Sequence, residues 1–122
     1  MLKPCSDDPR KSGLLFHKLA DLTAQVGKAL GKGYQVGIHA IGDATNREAL
    51  DAYAAAYKIH PHGIALRNRI EHAQIVSLED TPPDRLMQPT HATSDLNMAE
   101  DRIGHERIKG AYAWGAFFAR AR

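Results

Sequence analysis

Apolar residues at Leu15, Leu19, Leu22, Val26, Ala29 and Leu30 recur every three or four positions, the spacing that lines one face of a helix. Lys18, Asp21, Gln25 and Lys28 fall on the opposite face, so a helix from Gly13 to Leu30 is expected to pack on one side only. Gly31-Lys32-Gly33 would end it. The period then shortens. Tyr34, Val36 and Ile38 alternate with other residues and predict a strand over 34–40, with His39 near its C-terminal end.

Gly42-Asp43 follows at once. Asp43 is a candidate helix cap, with Thr45 and Glu48 offering a competing start, before a helix whose apolar face is Leu50, Tyr53, Ala54 and Tyr57. Pro61 and Gly63 limit that helix to about Lys58. A second strand is expected over 68–73, carrying Ile70 and placing His72 near its C-terminal end. Strand, helix and strand in this order make a βαβ unit, which requires parallel strands and a right-handed crossover. The 33-residue spacing of His39 and His72 suits one such unit.

Outside this unit the pattern is weaker. Pro4, Ser6, Asp7, Asp8 and Pro9 predict a loop over 2–11. Ser77 to Asp80 has the form of a helix start, but Thr81-Pro82-Pro83-Asp84 leaves no room for a helix of useful length. Only Leu86, Met87 and Gln88 remain for a third strand before Pro89, so the third repeat is clipped. Ser94-Asp95-Leu96-Asn97 is expected as a loop and Glu106 to Arg120 as a helix.

Composition narrows the function classes. Sixteen Lys plus Arg against 14 Asp plus Glu leave a net charge of +2, and no run of like sign forms a nucleic-acid footprint. No stretch approaches the roughly 20 apolar residues of a membrane helix, and Met1-Leu2-Lys3-Pro4 opens no signal-peptide pattern. The expectation is a chain that meets neither nucleic acid nor membrane and is cytoplasmic by default. The single Cys5 excludes an internal disulfide and a cysteine-based zinc site. A nucleotide-binding βαβ fold is disfavoured, because Gly31, Gly33 and Gly37 do not form G-x-G-x-x-G and precede the strand.

Seven His are the compositional oddity, and two of them close neighbouring strands. Strands lie roughly 4.8 Å apart, and an imidazole nitrogen sits about 2.0 to 2.1 Å from a bound zinc. Both rings can therefore converge on one ion, at the end of the sheet where α/β active sites assemble. The competing reading is that each is a histidine hydrogen-bonded to backbone. His60 and His62 flank Pro61 in a turn and read as solvated.

Gly37-Ile38-His39-Ala40-Ile41-Gly42-Asp43, Arg69-Ile70-Glu71-His72-Ala73-Gln74 and Gln88-Pro89-Thr90-His91-Ala92-Thr93-Ser94-Asp95 occur in this order, with Glu100 to Gly104 and Ala111 to Trp114 beyond them. Together they resemble the amidohydrolase superfamily, in the family 3 branch that includes N-substituted formamide deformylases and other metal-dependent hydrolases. The match spans nearly the whole chain and corresponds to the region around barrel strands 5 to 7. The resemblance implies a (β/α)₈ barrel in which metal-activated water attacks a carbonyl carbon. His39 and His72 match the metal ligands closing strands 5 and 6, and the metal is expected to be a divalent ion, zinc above all. His91 would follow strand 7, as a substrate contact or as a loop histidine. Asp43 reads better as a cap than as a catalytic group. Glu71 is expected to face the helical layer and to pair with Arg67 or Arg69.

Several family features are missing. The His-x-His pair of strand 1, the bridging Lys or Glu of strand 4 and the Asp of strand 8 have no counterparts, and Asp95 belongs to a different motif. Trp114-Gly115 departs from the Trp-Arg of similar sequences. No catalytic residue is therefore assigned. A closed barrel takes about 250 residues, with a minimum near 200, and this chain has 122. The expected architecture is α/β, a partial TIM-barrel fragment of two to three βα units with parallel strands, forming a single partial domain over residues 1–122. The leading reading is a fragment of an amidohydrolase acting on a carbon–nitrogen bond of an amide-like small molecule, inactive by itself. The alternative is a non-catalytic α/β assembly module with vestigial histidines. Either way, the uncovered sheet predicts self-association.

Overall fold

The structure, a computed structural model, describes residues 1–80 and 90–113. Helix α1 (Leu19–Gly31) precedes strand β1 (Gly37–Ala40), helix α2 (Asp43–Ile59), strand β2 (Arg69–His72) and helix α3 (Thr90–Arg107). Short 3₁₀ turns occupy Pro61–Leu66, Leu78–Asp80 and Ile108–Gly110. Among the described residues, β1 and β2 form one parallel two-stranded sheet in the register Gly37↔Arg69, Ile38↔Ile70, His39↔Glu71 and Ala40↔His72. This is the α/β arrangement expected of a partial barrel.

Helix α1 starts six residues later than its periodicity predicts. Val26 and Leu30 are buried against α2, but Leu14 and Phe16 are each 82% exposed, and Leu15 finds no core to enter. A helical turn is held chiefly by the burial of its apolar face; with none for Leu15, residues 13–18 stay outside the helix. Its C-terminus follows the glycine signal, since Gly33 at φ +79° donates its N–H to Leu30 O at 2.9 Å.

Both strands are shorter than predicted, because side chains replace ladder bonds at their entrances. Asn68 Oδ1 accepts the Val36 N–H at 2.8 Å, and Asn68 Nδ2 donates to Gly63 O at 2.7 Å and to the Tyr57 hydroxyl at 3.0 Å. The Tyr53 hydroxyl lies 2.9 Å from Val36 O and 2.8 Å from Arg69 O, tying both strands to α2.

Helix α2 buries Ala49, Ala52, Tyr53 and Ala56, while Leu50 and Tyr57 pack at the margin and Ala54 is exposed. The face is thus turned from the predicted one, and small alanines let the helix lie close to Ile38 and Ile70. Asp43 is not the cap. Gly42 holds that position without a side-chain bond, and the buried Asp43 carboxylate accepts the N–H groups of Ala44 (2.9 Å) and Leu2 (2.8 Å).

The C-terminal part departs most from expectation. The predicted strand at 86–88 lies outside the described residues, as do residues 114–120 of the predicted last helix. Ser94 to Asn97 is helical, within α3, not a loop. Ala99 and Ile103, four residues apart on one face, are buried and outweigh the turn preference of the polar run. Gly104, at φ +78° and ψ 161°, breaks the helix, and Arg107 ends it near where the predicted helix was to begin. The chain then returns to the sheet through an antiparallel bridge between Ile75 and Ala111.

Candidate functional site

The alternation along the sheet sorts its side chains into two layers. Ile38, Ala40 and Ile70 are buried towards the helices. Gly37, His39, Arg69 and Glu71 share the other face, where a β-carbon on Gly37 would lie 3.3 Å from Glu71 Oε1. Glu71 therefore faces the His39 side and not the helical layer, because it is paired in register with His39. Its partner is Arg69, with Nε to Oε1 at 2.5 Å, and Arg69 Nη1 extends the chain of contacts to Gln35 Oε1 at 3.0 Å.

By register His72 belongs with buried Ala40, on the helical side. Its ring instead meets His39: the centroids are 4.3 Å apart and the planes cross at 75°. The backbone produces this, for His72 and Ala73 have φ of +72° and +45°, in the left-handed region that side chains disfavour. Alternation alone could not have foretold it. His39 is exposed and His72 half-buried.

The segment after His72 is held by buried polar side chains that sequence reasoning missed. Asn46 is fully buried, and its Nδ2 donates to Gly42 O at 2.9 Å and to Ile75 O at 3.2 Å, with Ala40 O and Ile41 O at 3.4 Å. Gln74 is also buried. Its Nε2 donates to the Tyr112 hydroxyl at 2.7 Å and to Asp95 Oδ2 at 3.2 Å. Burial pushes the Tyr112 hydroxyl pKa up, with the Gln74 bond opposing and the Asp95 charge adding to the rise. Neither amide has a periodicity signal, although Gln74 stands inside a quoted motif.

His91 falls in the first turn of α3; its side chain and the predicted strand before it lie outside the described residues. His60 and His62 sit apart from this site, and His62 Nε2 lies 2.9 Å from Leu30 O, the carbonyl it can serve as donor. Among the described residues no group of three His, Cys, Asp or Glu side chains is arranged around a metal position. An open hollow of about 860 Å³ runs beside β1 on the side away from β2, lined by Leu14, Phe16, Leu22, Val26 and His39 among others. Within it, Glu48 Oε2 is buried and makes no hydrogen bond.

A family model described as "Amidohydrolase family" matches residues 2–119. YtcJ of Bacillus subtilis (strain 168), named as an amidohydrolase, is 32% identical over 124 residues, covering 97% of this chain and 23% of its own length. Two crystal structures, of uncharacterised metal-dependent hydrolases from Pyrococcus furiosus and Pyrococcus horikoshii OT3, superpose with TM-scores of 0.77 and 0.72 at 30% and 31% identity. Each alignment covers 96% of this chain and 24% of the other. The chain thus spans about a quarter of the length of these relatives.

Proposed function

Because the chain belongs to the amidohydrolase family, we propose that it forms part of a metal-dependent hydrolase in which His39 and His72 supply two ligands to one divalent ion. The observation that carries this reading is the 4.3 Å approach of the two rings at adjacent parallel strand ends. The family implies a divalent metal, and the residues suit one. Two imidazoles are borderline-soft nitrogen donors of the kind zinc takes, which makes zinc the proposed ion. They correspond in this reading to the ligands closing barrel strands 5 and 6.

When bound, such an ion lowers the pKa of water towards about 7 and polarises a carbonyl, so that an amide-like carbon–nitrogen bond can be hydrolysed near neutral pH. The chain's own residues hold and orient. The left-handed turn at His72 aims its ring, and the Arg69–Glu71 pair occupies the same face below His39. Glu71 is engaged by Arg69 at 2.5 Å, so no described carboxylate beside the pair is assigned to proton transfer. His91 is proposed as a substrate contact through its place in the third motif.

Two protein ligands fall short of the three that catalytic zinc sites keep. The chain by itself is therefore proposed to hold the ion weakly and to lack turnover, and the amide-like small molecule is the substrate of the longer enzyme. No described helix is long and apolar enough to cross a membrane. Zinc titration by calorimetry on the wild type and on the His39→Ala/His72→Ala double variant tests the assignment, alongside hydrolysis of N-formyl and N-acyl amines. Weak binding that vanishes in the double variant is expected. Binding that survives both substitutions would overturn the ligand assignment, and turnover that the double variant abolishes would overturn the proposed inactivity.

A further inference from the structure

His72 reaches His39 with two successive residues in a backbone that L-amino acids avoid. With an ordinary extended φ, His72 would follow its register partner Ala40 into the helical layer, away from His39. Left-handed conformations at non-glycine residues persist where the surroundings hold them. Here hydrogen bonds grip the turn from two sides.

On the β1 side, the Ala73 N–H reaches Ala40 O at 3.0 Å and the Ile75 N–H reaches Ile41 O at 2.9 Å. On the other side the anchor is Gln74. Its carbonyl accepts the Tyr112 N–H at 3.0 Å, while its side-chain amide donates to the Tyr112 hydroxyl and the Asp95 carboxylate. One residue thus connects the metal-side strand end to both α3 and the returning segment. Its burial excludes water as a ready substitute for either acceptor.

We propose that Gln74 is a positioning residue for the His39–His72 pair: by latching Tyr112 and Asp95 to the end of β2, it holds the left-handed His72–Ala73 turn that brings the rings together. It acts through the backbone and not by contact with a ligand. Only the metal-binding consequence rests on the ligand reading above, and ring convergence is measurable without metal.

The test uses the full 122-residue chain. Ring-to-ring proton contacts between His39 and His72 are recorded by NMR in the metal-free wild type, Gln74→Ala and Tyr112→Phe, and zinc affinity is measured on each. Tyr53→Phe, which removes a buried hydroxyl at the opposite end of the strands, serves as the control for general destabilisation. In the wild type the contacts are expected. In Gln74→Ala they should be lost and zinc binding weakened about tenfold, the low end for groups that orient metal ligands. Tyr112→Phe removes one latch atom and should weaken both readouts less; it decides the matter if Gln74→Ala fails to fold. Tyr53→Phe should keep the contacts despite lowering stability. Contacts absent from the wild type, or unchanged in a folded latch variant, overturn the proposal. Contacts that depend on Gln74 in a chain that binds no zinc support the positioning role and overturn the metal reading instead.

Discussion

Gly110 lies so close to Val76 that a β-carbon on residue 110 would sit 2.0 Å from the Val76 carbonyl oxygen. In the same contact the Val76 N–H donates to Gly110 O at 3.0 Å, and the bridge between Ile75 and Ala111 continues it. The approach of these two backbones docks the end of the described chain on the sheet. Any side chain at 110 must part them. Gly110→Ala is expected to lower unfolding free energy by about 1–3 kcal/mol, the usual range for overpacking a fitted contact. Urea denaturation checks this, and an unchanged midpoint would show that the approach is dispensable.

A second expectation concerns Tyr53, whose buried hydroxyl serves the Val36 and Arg69 carbonyls. Removing it in Tyr53→Phe takes a donor from the Arg69 carbonyl, while Val36 O keeps the Arg69 N–H at 3.0 Å, and should cost about 1–3 kcal/mol. Burial raises the phenol pKa in the folded chain, whereas in the unfolded chain it titrates near about 10. The unfolded state therefore loses the proton first as pH rises, and the stabilisation, complete below about 10, declines above it. Urea titrations at rising alkaline pH should show this decline in the wild type and a shallower one in Tyr53→Phe. Parallel pH profiles for the two proteins would contradict the assignment.

The βαβ unit was legible because its two periodicities and its Gly and Pro punctuation agree: Ile38 and Ile70 alternate as a buried strand pair should, and Pro61 with Gly63 ends α2 within a residue of expectation. Elsewhere local signals lost to packing. Leu15 has the right spacing for α1 but no core to enter, and Ser94 to Asn97 has turn chemistry but sits on the helix that buries Ala99 and Ile103. The adjacency of His39 and His72 followed from strand order. Their convergence was expected from the shared strand ends, but the φ values at His72 and Ala73 that turn His72 off its register face are encoded in no pattern. Asn46 and Gln74 were invisible for a related reason: a buried amide is defined by the carbonyls and hydroxyls around it, not by its spacing.

Asn46 gives the third expectation. Asn46→Ala removes the donor shared by Gly42 O and Ile75 O, which links the turn after β1 to the segment after β2. A loss of about 1–3 kcal/mol is expected, chiefly from the Ile75 carbonyl that loses its side-chain donor, since Gly42 O keeps the backbone N–H of residue 46 at 2.9 Å. Hydrogen exchange should localise the effect: the amide of Ile75, bonded to Ile41 O, should exchange faster, while amides in the middle of α1 should follow only the global loss. Uniform change across both elements would show that Asn46 serves stability generally and not this junction.

The last expectation is association. Leu14 and Phe16 stand 82% exposed beside the hollow along β1, and among the described residues no strand pairs with the outer edge of that strand. Open strand edges bring unsatisfied backbone groups together, and contiguous apolar surface adds the driving force of burial. The two features adjoin, so a partner covering one also covers the other. Sedimentation at tens of micromolar, an order-of-magnitude choice above weak-dimer constants, should show species larger than a monomer. Leu14→Ser with Phe16→Ser changes residues outside every helix and strand and should shift the protein towards monomer without unfolding it. A wild-type chain that sediments as a compact monomer, with the double variant indistinguishable from it, would mean that this face stays uncovered at no cost in association.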